Sequence, residues 1–395
     1  MKSAGCIPGT PCKKFNPIRQ IITRLEEHMF SVFALVLLGV GLDHYWQWLK
    51  DRKRARLHQR APAYLISSGK VPLVSVLVPA WNEAVHLHAC IDAILGLRYA
   101  NKELILCAGG YDTTWEIASE YANTGVVVLE QRPGEGKQMA LRSCFERSSG
   151  EIIFLTDADC VLDDHCFEAT LGPVIEGQEE VCTGSWRPVD SQLRNALVQF
   201  QWAHHHYREL ALPAYVDSLD GRNVAIQRRA LQGVGAFSTF APIGTDFALS
   251  TQLLRAGYRI RFVAHSRVCT WYPATVRTYW KQTSRWYRNR LILGFRYQQW
   301  SAAISHLRAG IAALFMLVGL LCIWRIRLIR IVWLGSFARL VLAQLRMRNL
   351  LCSPRVNPLG TRCTIIGLLL NMLIGWIALA RGLIESLLPC RRWRW

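Results

Sequence analysis

The sequence predicts an α/β fold: a mostly parallel sheet with helices on both faces, flanked by transmembrane helices. Two observations support this prediction. Short runs of apolar and β-branched residues alternate with helical patterns between residues 72 and 270, and such alternation is typical of parallel sheets. Apolar runs of helix length lie on either side of this segment, and hydrophobic residues make up 51% of the 395-residue chain.

Four short apolar runs predict the strands of the sheet, and they lie at 73–79, 104–107, 126–129 and 152–155. Helical patterns follow the first three runs, over residues 83–95, 113–121 and 137–147. In sheets of this kind, ligands bind outside the carboxyl ends of the strands. We therefore expect the functional residues just after the predicted strands.

The formal net charge of +19 is unevenly distributed along the chain. Residues 72–270 contain 16 basic and 23 acidic residues, whereas the flanking segments contain 31 and 5. Basic residues that border apolar runs are typical of membrane-proximal segments. A nucleic-acid-binding domain would instead need a basic globular segment, so we expect no nucleic-acid partner and a lipid bilayer as the surroundings.

Four apolar segments are candidates for crossing the membrane, and they cover residues 29–42, 309–324, 331–345 and 364–379. The first is short for a span, and a buried core helix is the alternative for it. The third carries Arg339 in mid-run and could lie in the interface instead of crossing. The positions of the arginines between residues 325 and 362 favour one N-terminal and three C-terminal spans.

These patterns divide the chain into four parts. We expect a polar segment with a transmembrane anchor over residues 1–70, a cytoplasmic globular domain over 71–275, an amphipathic segment over 276–308 and transmembrane helices over 309–395. Within the amphipathic segment, residues 287–308 predict a helix that seats the globular domain on anionic lipid; a solvated basic helix is the alternative. The protein would then be a multi-pass protein of the cell or inner membrane.

Two carboxylates follow the fourth predicted strand. Asp157 and Asp159 are separated by one residue, so the alternation of an extended chain places both on one side. Two such charges repel each other unless a cation lies between them. Their oxygen ligands suit Mg²⁺ or Mn²⁺, whose shell is completed by water and a diphosphate. The alternative is a capping role at a helix N-terminus, since Asp163 and Asp164 follow closely.

A second polar stretch, PGEGK at residues 133–137, precedes the third helical pattern. Its backbone N–H groups and the Lys137 ammonium could bind phosphates. The spacing of a Walker loop is absent, and the stretch is equally typical of an ordinary loop before a helix.

Three consecutive histidines, at 204–206, lie in a helical pattern over residues 191–212. Consecutive residues of a helix point in three directions, so these side chains cannot bind one ion together. We expect them to be partly solvated helix residues.

Six motifs occur in order across the globular segment: VPAWNE (78–83), GEGKQMAL (134–141), TDADC (156–160), GRNVAIQRRAL (221–231), GTDFALSTQLLRAGYRI (244–260) and QTSRW (282–286). Together they resemble the family 2 inverting glycosyltransferases, and within them the membrane-embedded synthases of cellulose, chitin, hyaluronan and poly-N-acetylglucosamine. The resemblance covers about residues 72–290. It implies a GT-A-type domain, a UDP-linked nucleotide-sugar donor, a divalent cation and a β-linked glycan product.

The resemblance also implies roles for individual residues. Asp159, with help from Asp157, would bind the divalent ion on the donor diphosphate. Asp246 would be the general base that deprotonates the acceptor hydroxyl. The remaining implied positions are Pro79, Asn82, Glu83 and Lys137 for the nucleotide sugar, and Gln282, Arg285 and Trp286 of the QxxRW motif for the leaving diphosphate and the acceptor channel.

The chain departs from the family pattern at two places. Where relatives have an Asp–Gly–Ser-like turn, this chain has CAGGYD at residues 107–112, which leaves Asp112 as the nearest carboxylate for the nucleoside. Capping of the following helix is the alternative for Asp112. Thr245 stands before Asp246, at a position where Glu is common.

We therefore expect a membrane-bound glycosyltransferase that extends a polysaccharide. One alternative is a lipid glycosyltransferase similar to the ceramide glucosyltransferases, for which the acceptor is a lipid. Another is a catalytically inactive membrane partner with the same fold. The enzymatic interpretation requires that Asp159, Asp246 and Arg285, which are remote in sequence, come together in space.

Overall fold

The computed structural model of the protein describes residues 17–59, 66, 69–238, 243–324, 327–351 and 365–388. This part of the chain contains nine strands that pair into one sheet. They are β1 (Val74–Trp81), β2 (Lys102–Gly109), β3 (Val127–Glu130), β4 (Ile152–Leu155), β5 (Cys160–Val161), β6 (Val181–Pro188), β7 (Tyr215–Val216), β8 (Val224–Gln227) and β9 (Ile260–Thr270). Their order across the sheet is β3-β2-β1-β4-β8-β6-β9-β5, and β7 pairs with β9 beside this path.

The longest pairings in the sheet are parallel. Strands β3, β2, β1 and β4 all run in one direction, and β6 runs parallel to β9. Strand β8 is antiparallel to both of its neighbours, β4 and β6, and the two-residue strands β5 and β7 are antiparallel to β9. The predicted mostly parallel sheet is therefore confirmed, and the four predicted strands match β1 to β4 to within two residues at each end.

The helices in the described residues are α1 (Pro17–Gln59), α2 (Leu87–Leu95), α3 (Thr114–Glu120), α4 (Gly136–Arg147), α5 (Asp164–Ile175), α6 (Ala196–Glu209), α7 (Arg228–Gly233), α8 (Thr245–Arg255), α9 (Val276–Arg296), α10 (Trp300–Cys322), α11 (Arg327–Leu351) and α12 (Ile365–Leu387). Helix α2 begins four residues after its predicted start. The reason is a turn, in which the N–H groups of His86 and Leu87 both donate to the carbonyl of Glu83 at 3.0 Å.

The sheet has one apolar core on each face, and β1 contributes to both. Val76 and Val78 pack in a core with residues of α2 and α5, whereas Leu77, which points the other way, packs in a core with residues of α4, α7 and α8. This is the alternation expected of a strand buried on both sides. The helices therefore cover both faces of the sheet, as predicted.

Helix α6 is shorter than its predicted pattern because Asn195 caps it. The Asn195 side chain accepts hydrogen bonds from the backbone N–H groups of Leu197 and Val198. His206 on this helix is buried, with Nδ1 3.3 Å from a carboxylate oxygen of Glu209. The expectation that all three histidines are partly solvated is therefore wrong for His206.

Among the described residues, three helices are long and apolar enough to cross a membrane: Ser31–Leu57 within α1, Trp300–Cys322 and Gly367–Leu387. The second of the three predicted C-terminal segments, 331–345, lies within α11, which is not among these three. Instead α11 packs along α1 through two ion pairs, since Arg339 Nε lies 2.8 Å from Asp43 and Arg346 Nε lies 3.5 Å from Asp51. The carboxylate of Asp43 explains how an arginine can lie in mid-run of an apolar segment.

The predicted helix over 287–308 is divided in the structure. Helix α9 ends at Arg296, Gln298 has a left-handed φ of 58°, and α10 begins at Trp300. The chain reverses here, so that α10 packs back onto α9 at Gly294, where an added Cβ would lie 3.1 Å from Ala303. Leu291 is therefore buried against neighbouring helices.

The buried ion pair between α1 and α11 provides a test of this packing. Arg346 and Asp51 have only 8% and 6% of their side chains exposed, and Tyr207 of α6 donates to Asp51 at 2.8 Å. We expect Arg346→Met to lower the free energy of unfolding in detergent by roughly 3 kcal/mol, because a buried carboxylate loses its main cation. Denaturant unfolding measures this value, and Lys53→Met, which removes an exposed charge from α1, is the control. An equal effect of both variants would contradict the packing.

Candidate active site

The end of β1 is held against the end of β2 by Asn82. Asn82 has a left-handed φ of 57°, and its Oδ1 accepts a hydrogen bond of 2.7 Å from the N–H of Tyr111. An added Cβ on Gly110 would lie 2.4 Å from that same oxygen. The second glycine of the unusual CAGGYD turn is therefore required by the close approach of the two strand ends.

Asp112 fastens the same turn to α3. Its carboxylate accepts from the N–H of Thr114 at 3.1 Å and from the N–H of Ala84 at 3.3 Å. Burial opposes the charged form, but the hydrogen bonds, led by that of the Thr114 hydroxyl, lower the pKa of Asp112. Asp112 thus accepts from the first N–H of α3, although Thr113 is the N-cap residue of that helix, and the contact of Asp112 with a nucleoside remains a prediction. Pro79 lies inside β1, in register with Cys107.

A partly buried lysine joins the end of β4 and the start of α8. Lys137, the second residue of α4, places its Nζ 2.6 Å from Asp157 Oδ1 and 3.6 Å from Asp246 Oδ1. Burial disfavours the ammonium, but the charges of Asp157 and Asp246 raise the pKa of Lys137 above its usual value. Asp246 lies in the first turn of α8, where the positive end of the helix dipole also favours a carboxylate. Three positions remote in sequence are thus brought within one cluster.

Arg222 is the second cation of this cluster, and the sequence reasoning gave it no role. It lies in the turn between β7 and β8, with Nε 3.9 Å from Asp157 and Nη1 3.8 Å from Asp220. Burial opposes its charge, but Asp159, Asp220 and Asp157 raise the pKa of Arg222. The sequence did contain an indication of this role, because Asp220 and Arg222 lie on either side of Gly221, the first residue of the GRNVAIQRRAL motif.

That glycine, Gly221, lies directly against the carboxylate of Asp246. An added Cβ on Gly221 would lie 2.2 Å from Asp246 Oδ1 and 2.6 Å from its Cγ. Only a residue without a side chain leaves room for Asp246 at this position. The turn between β7 and β8 therefore fixes where the Asp246 carboxylate lies.

Helix α9 brings the QxxRW residues to the same cluster. The Arg222 guanidinium lies 5.7 Å from the ring of Trp286. Burial lowers the pKa of Arg285, and the charges of Arg222 and Arg288 lower it further, whereas Asp157 acts in the opposite direction. Gln282 lies one helical turn before Trp286 and hence on the same face of α9. Arg285 and Asp246 thus both lie within electrostatic range of Asp157.

The cluster has an excess of carboxylates. Burial, together with the charges of Asp159, Asp157 and Asp112, raises the pKa of Glu83 to about 8. Since Asp157 and Asp159 are close enough to produce this effect, Glu83 belongs to the same electrostatic site. An additional cation at the site would relieve this repulsion.

The residues present fit a divalent cation that is shared with a diphosphate. Within the described ranges, no three Asp, Glu, His or Cys side chains form a group that could hold an ion alone. Asp159 accepts only a weak contact from the Cys160 thiol, at 3.5 Å, in the part of the chain that the structure describes. Mg²⁺ typically binds through one or two carboxylates and completes its shell with water and phosphate. Asp159, with Asp157 beside it, offers such a set.

Glu83 gives the protein a pH-dependent stability. The unfolded chain loses this proton above pH 4.5, whereas the folded protein keeps it to about pH 8, so the group destabilises the fold progressively between these values. We expect Glu83→Gln, which stays neutral, to melt in EDTA at the wild-type temperature near pH 4.5 and above it at pH 8. Thermal unfolding across this pH range measures the difference, and a difference that does not change with pH would contradict the assignment.

The chain is similar to known glycosyltransferases. The model of the family described as "Glycosyltransferase like family 2" matches residues 72–289. The chain is 25% identical over 290 residues to the probable glycosyltransferase YdaM of Bacillus subtilis (strain 168), covering 69% of this chain and 65% of that protein. It is also 25% identical over 269 residues to the poly-beta-1,6-N-acetyl-D-glucosamine synthase of Staphylococcus epidermidis, covering 65% of this chain and 63% of that protein. The chain thus spans less than two thirds of the length of either relative.

A solved structure has a similar fold. The mannosyltransferase PcManGT from Pyrobaculum calidifontis, in complex with GDP-Man and Mn²⁺, superimposes with a TM-score of 0.57 at 17% identity, and the match covers 90% of this chain and 99% of that one. This likeness supports the GT-A fold that the motifs implied. Because the family model matches more than half of the sequence, the chain belongs to the family 2 glycosyltransferases.

Proposed function

We propose that the protein is a membrane-bound inverting glycosyltransferase that transfers a sugar from a UDP-linked nucleotide sugar to a growing polysaccharide. The main support is Lys137, whose ammonium lies between Asp157 and Asp246. This contact brings the strand-end carboxylates to the carboxylate on α8. The similarity to a poly-beta-1,6-N-acetyl-D-glucosamine synthase supports a polysaccharide product.

The donor would bind with its diphosphate at the ends of β1 and β4. Asp159 and Asp157 would hold a Mg²⁺ or Mn²⁺ ion, which supplies positive charge to the leaving diphosphate. Lys137 and Arg285 would add charge-assisted hydrogen bonds to the same phosphates. Burial and the charges of Arg222 and Arg288 lower the pKa of Arg285, and a bound anion would relieve the repulsion among these arginines.

The acceptor would approach from the side of α9. Asp246 would take the proton of the attacking hydroxyl, and the Lys137 ammonium at 3.6 Å offsets its charge. The ring of Trp286, which is 40% exposed, could stack on a sugar face. A single displacement at the anomeric carbon inverts its configuration, so an α-linked donor gives a β-linked product.

The membrane arrangement follows from the same proposal. The basic residues on either side of the globular segment favour a catalytic domain in the cytoplasm, where nucleotide sugars are available, on a multi-pass membrane protein. Helix α9 packs against α10 and α12, which are both long and apolar enough to cross a membrane. The acceptor face of the site therefore adjoins these helices.

Asp246→Asn tests the proposed base. We expect the rate of sugar transfer to fall roughly 10²–10⁴-fold, because an amide cannot accept the proton of the acceptor hydroxyl. Membranes incubated with a panel of labelled nucleotide sugars, followed by sizing of the product, measure the rate and the product together. Asp217→Asn, an exposed carboxylate with the same change, is the control and should retain the wild-type rate.

In this assay a ladder of product lengths indicates a processive synthase, whereas one glycolipid spot indicates the lipid-glycosylating alternative. If no labelled nucleotide sugar yields a product or free nucleotide with the wild-type protein, the proposed activity is wrong.

Gly221→Ala tests the position of Asp246. We expect the transfer rate to fall at least tenfold while the protein remains folded. The new Cβ would lie 2.2 Å from Asp246 Oδ1 and would therefore displace that carboxylate. Gly233→Ala is the matched control, since its nearest neighbour is Tyr258 Oη at 3.4 Å. The same assay measures both variants, and an active Gly221→Ala protein would show that Asp246 can move without consequence.

A further inference from the structure

The turn between β7 and β8 carries two buried charged side chains with unused hydrogen-bonding atoms. The side chains of Arg222 and Asp220 are only 15% and 13% exposed. In the described residues, Arg222 Nε and Asp220 Oδ2 are both buried without a hydrogen-bond partner. The distance of 3.8 Å between Nη1 and Oδ1 is too long for a hydrogen bond between the two. Buried polar atoms are rarely left unsatisfied, so this pair points to a ligand.

Two aromatic rings enclose the guanidinium. Arg222 lies 5.1 Å from the ring of Trp186 on β6 and 5.7 Å from that of Trp286 on α9. Behind Trp186, the His205 ring packs at a centroid distance of 3.8 Å, and His205 Nε2 lies 3.0 Å from Ser185 Oγ. Three elements of the fold, β6, α6 and α9, thus hold the aromatic rings around Arg222 in place.

The chemistry of the pair suits neutral hydroxyl groups better than a phosphate. A sugar hydroxyl both donates and accepts a hydrogen bond, and here a guanidinium donor lies beside a carboxylate acceptor. A phosphate could use Arg222 but would be repelled by Asp220. Burial, with smaller effects of Asp246 and Asp157, raises the pKa of Asp220 to about 7, as expected for a carboxyl group that has lost its water.

We propose that Asp220 and Arg222, enclosed by Trp186 and Trp286, bind neighbouring hydroxyl groups of a hexopyranose ring beside Asp246. The inference rests on the proposed function, because it places a sugar ring at the carboxylate that Gly221 contacts. The ring is either the sugar that is transferred or the terminal sugar of the acceptor. Both present the same chemistry, and they are distinguished by experiment.

The test uses the full-length protein in detergent with MnCl₂, and two conservative variants, Asp220→Asn and Arg222→Lys. Calorimetry gives the affinity for UDP alone and for UDP-glucose, UDP-N-acetylglucosamine and GDP-mannose. If the pair binds the transferred sugar, the affinity of each variant for UDP alone stays within about twofold of wild type. The ratio of the affinity for the preferred UDP sugar to the affinity for UDP alone, which is the gain due to the sugar, falls at least tenfold. Asp217→Asn, an exposed carboxylate near the same turn, should retain that gain.

If the pair binds the acceptor sugar, donor affinity and donor hydrolysis stay unchanged, while KM for an oligosaccharide acceptor rises at least tenfold with a smaller change in kcat. Retained UDP affinity shows in either case that the variants are folded at the site. The subsite is wrong if both variants match the wild type in both measurements, or if UDP alone loses affinity as strongly as the UDP sugars. A wild-type protein that binds no nucleotide sugar overturns the proposed function and the subsite together.

Discussion

The partly buried ammonium of Lys137 makes the contact on which the site depends. A charged amine that is partly removed from water needs anionic partners, and it finds them in Asp157 after β4 and Asp246 in α8, at 2.6 and 3.6 Å. Neither carboxylate alone would bring these segments together. The lysine starts α4, so its position follows from the parallel sheet that places the ends of β1 and β4 beside that helix. The cluster is therefore a consequence of sheet topology as much as of its side chains.

The other charged residues of the site lie around this contact. Arg222 lies between Asp157 and Asp220, and burial together with the repulsion of neighbouring carboxylates raises the pKa of Glu83 to about 8. On the other side, burial and the charges of Arg222 and Arg288 lower the pKa of Arg285. The site thus has carboxylates that would hold a divalent ion and cations that would contact the diphosphate bound to that ion.

The sequence revealed those parts of the molecule that depend on local patterns. Apolar runs located β1 to β4, and the rule for parallel sheets placed Asp157 and Asp159 at a strand end. The two-residue strands β5 and β7 have too few residues for a pattern, and Arg222 gains its surroundings only from long-range pairing of β6, β8 and β9. The break before α10 was missed because the amphipathic pattern continues through residues 297–299. Arg339 was ambiguous until its partner Asp43, almost three hundred residues away, was known.

The central proposal is that the carboxylates of Asp157 and Asp159 bind a divalent ion together with a nucleoside diphosphate. The most direct measurement is the affinity of the purified protein for UDP, determined by calorimetry in EDTA and at increasing Mn²⁺. Because linkage is reciprocal, the ion and the nucleotide must strengthen each other's binding by the same factor, and we expect this factor to be at least tenfold and to be lost in Asp159→Asn. An affinity for UDP that is the same in EDTA and in Mn²⁺ would contradict the account.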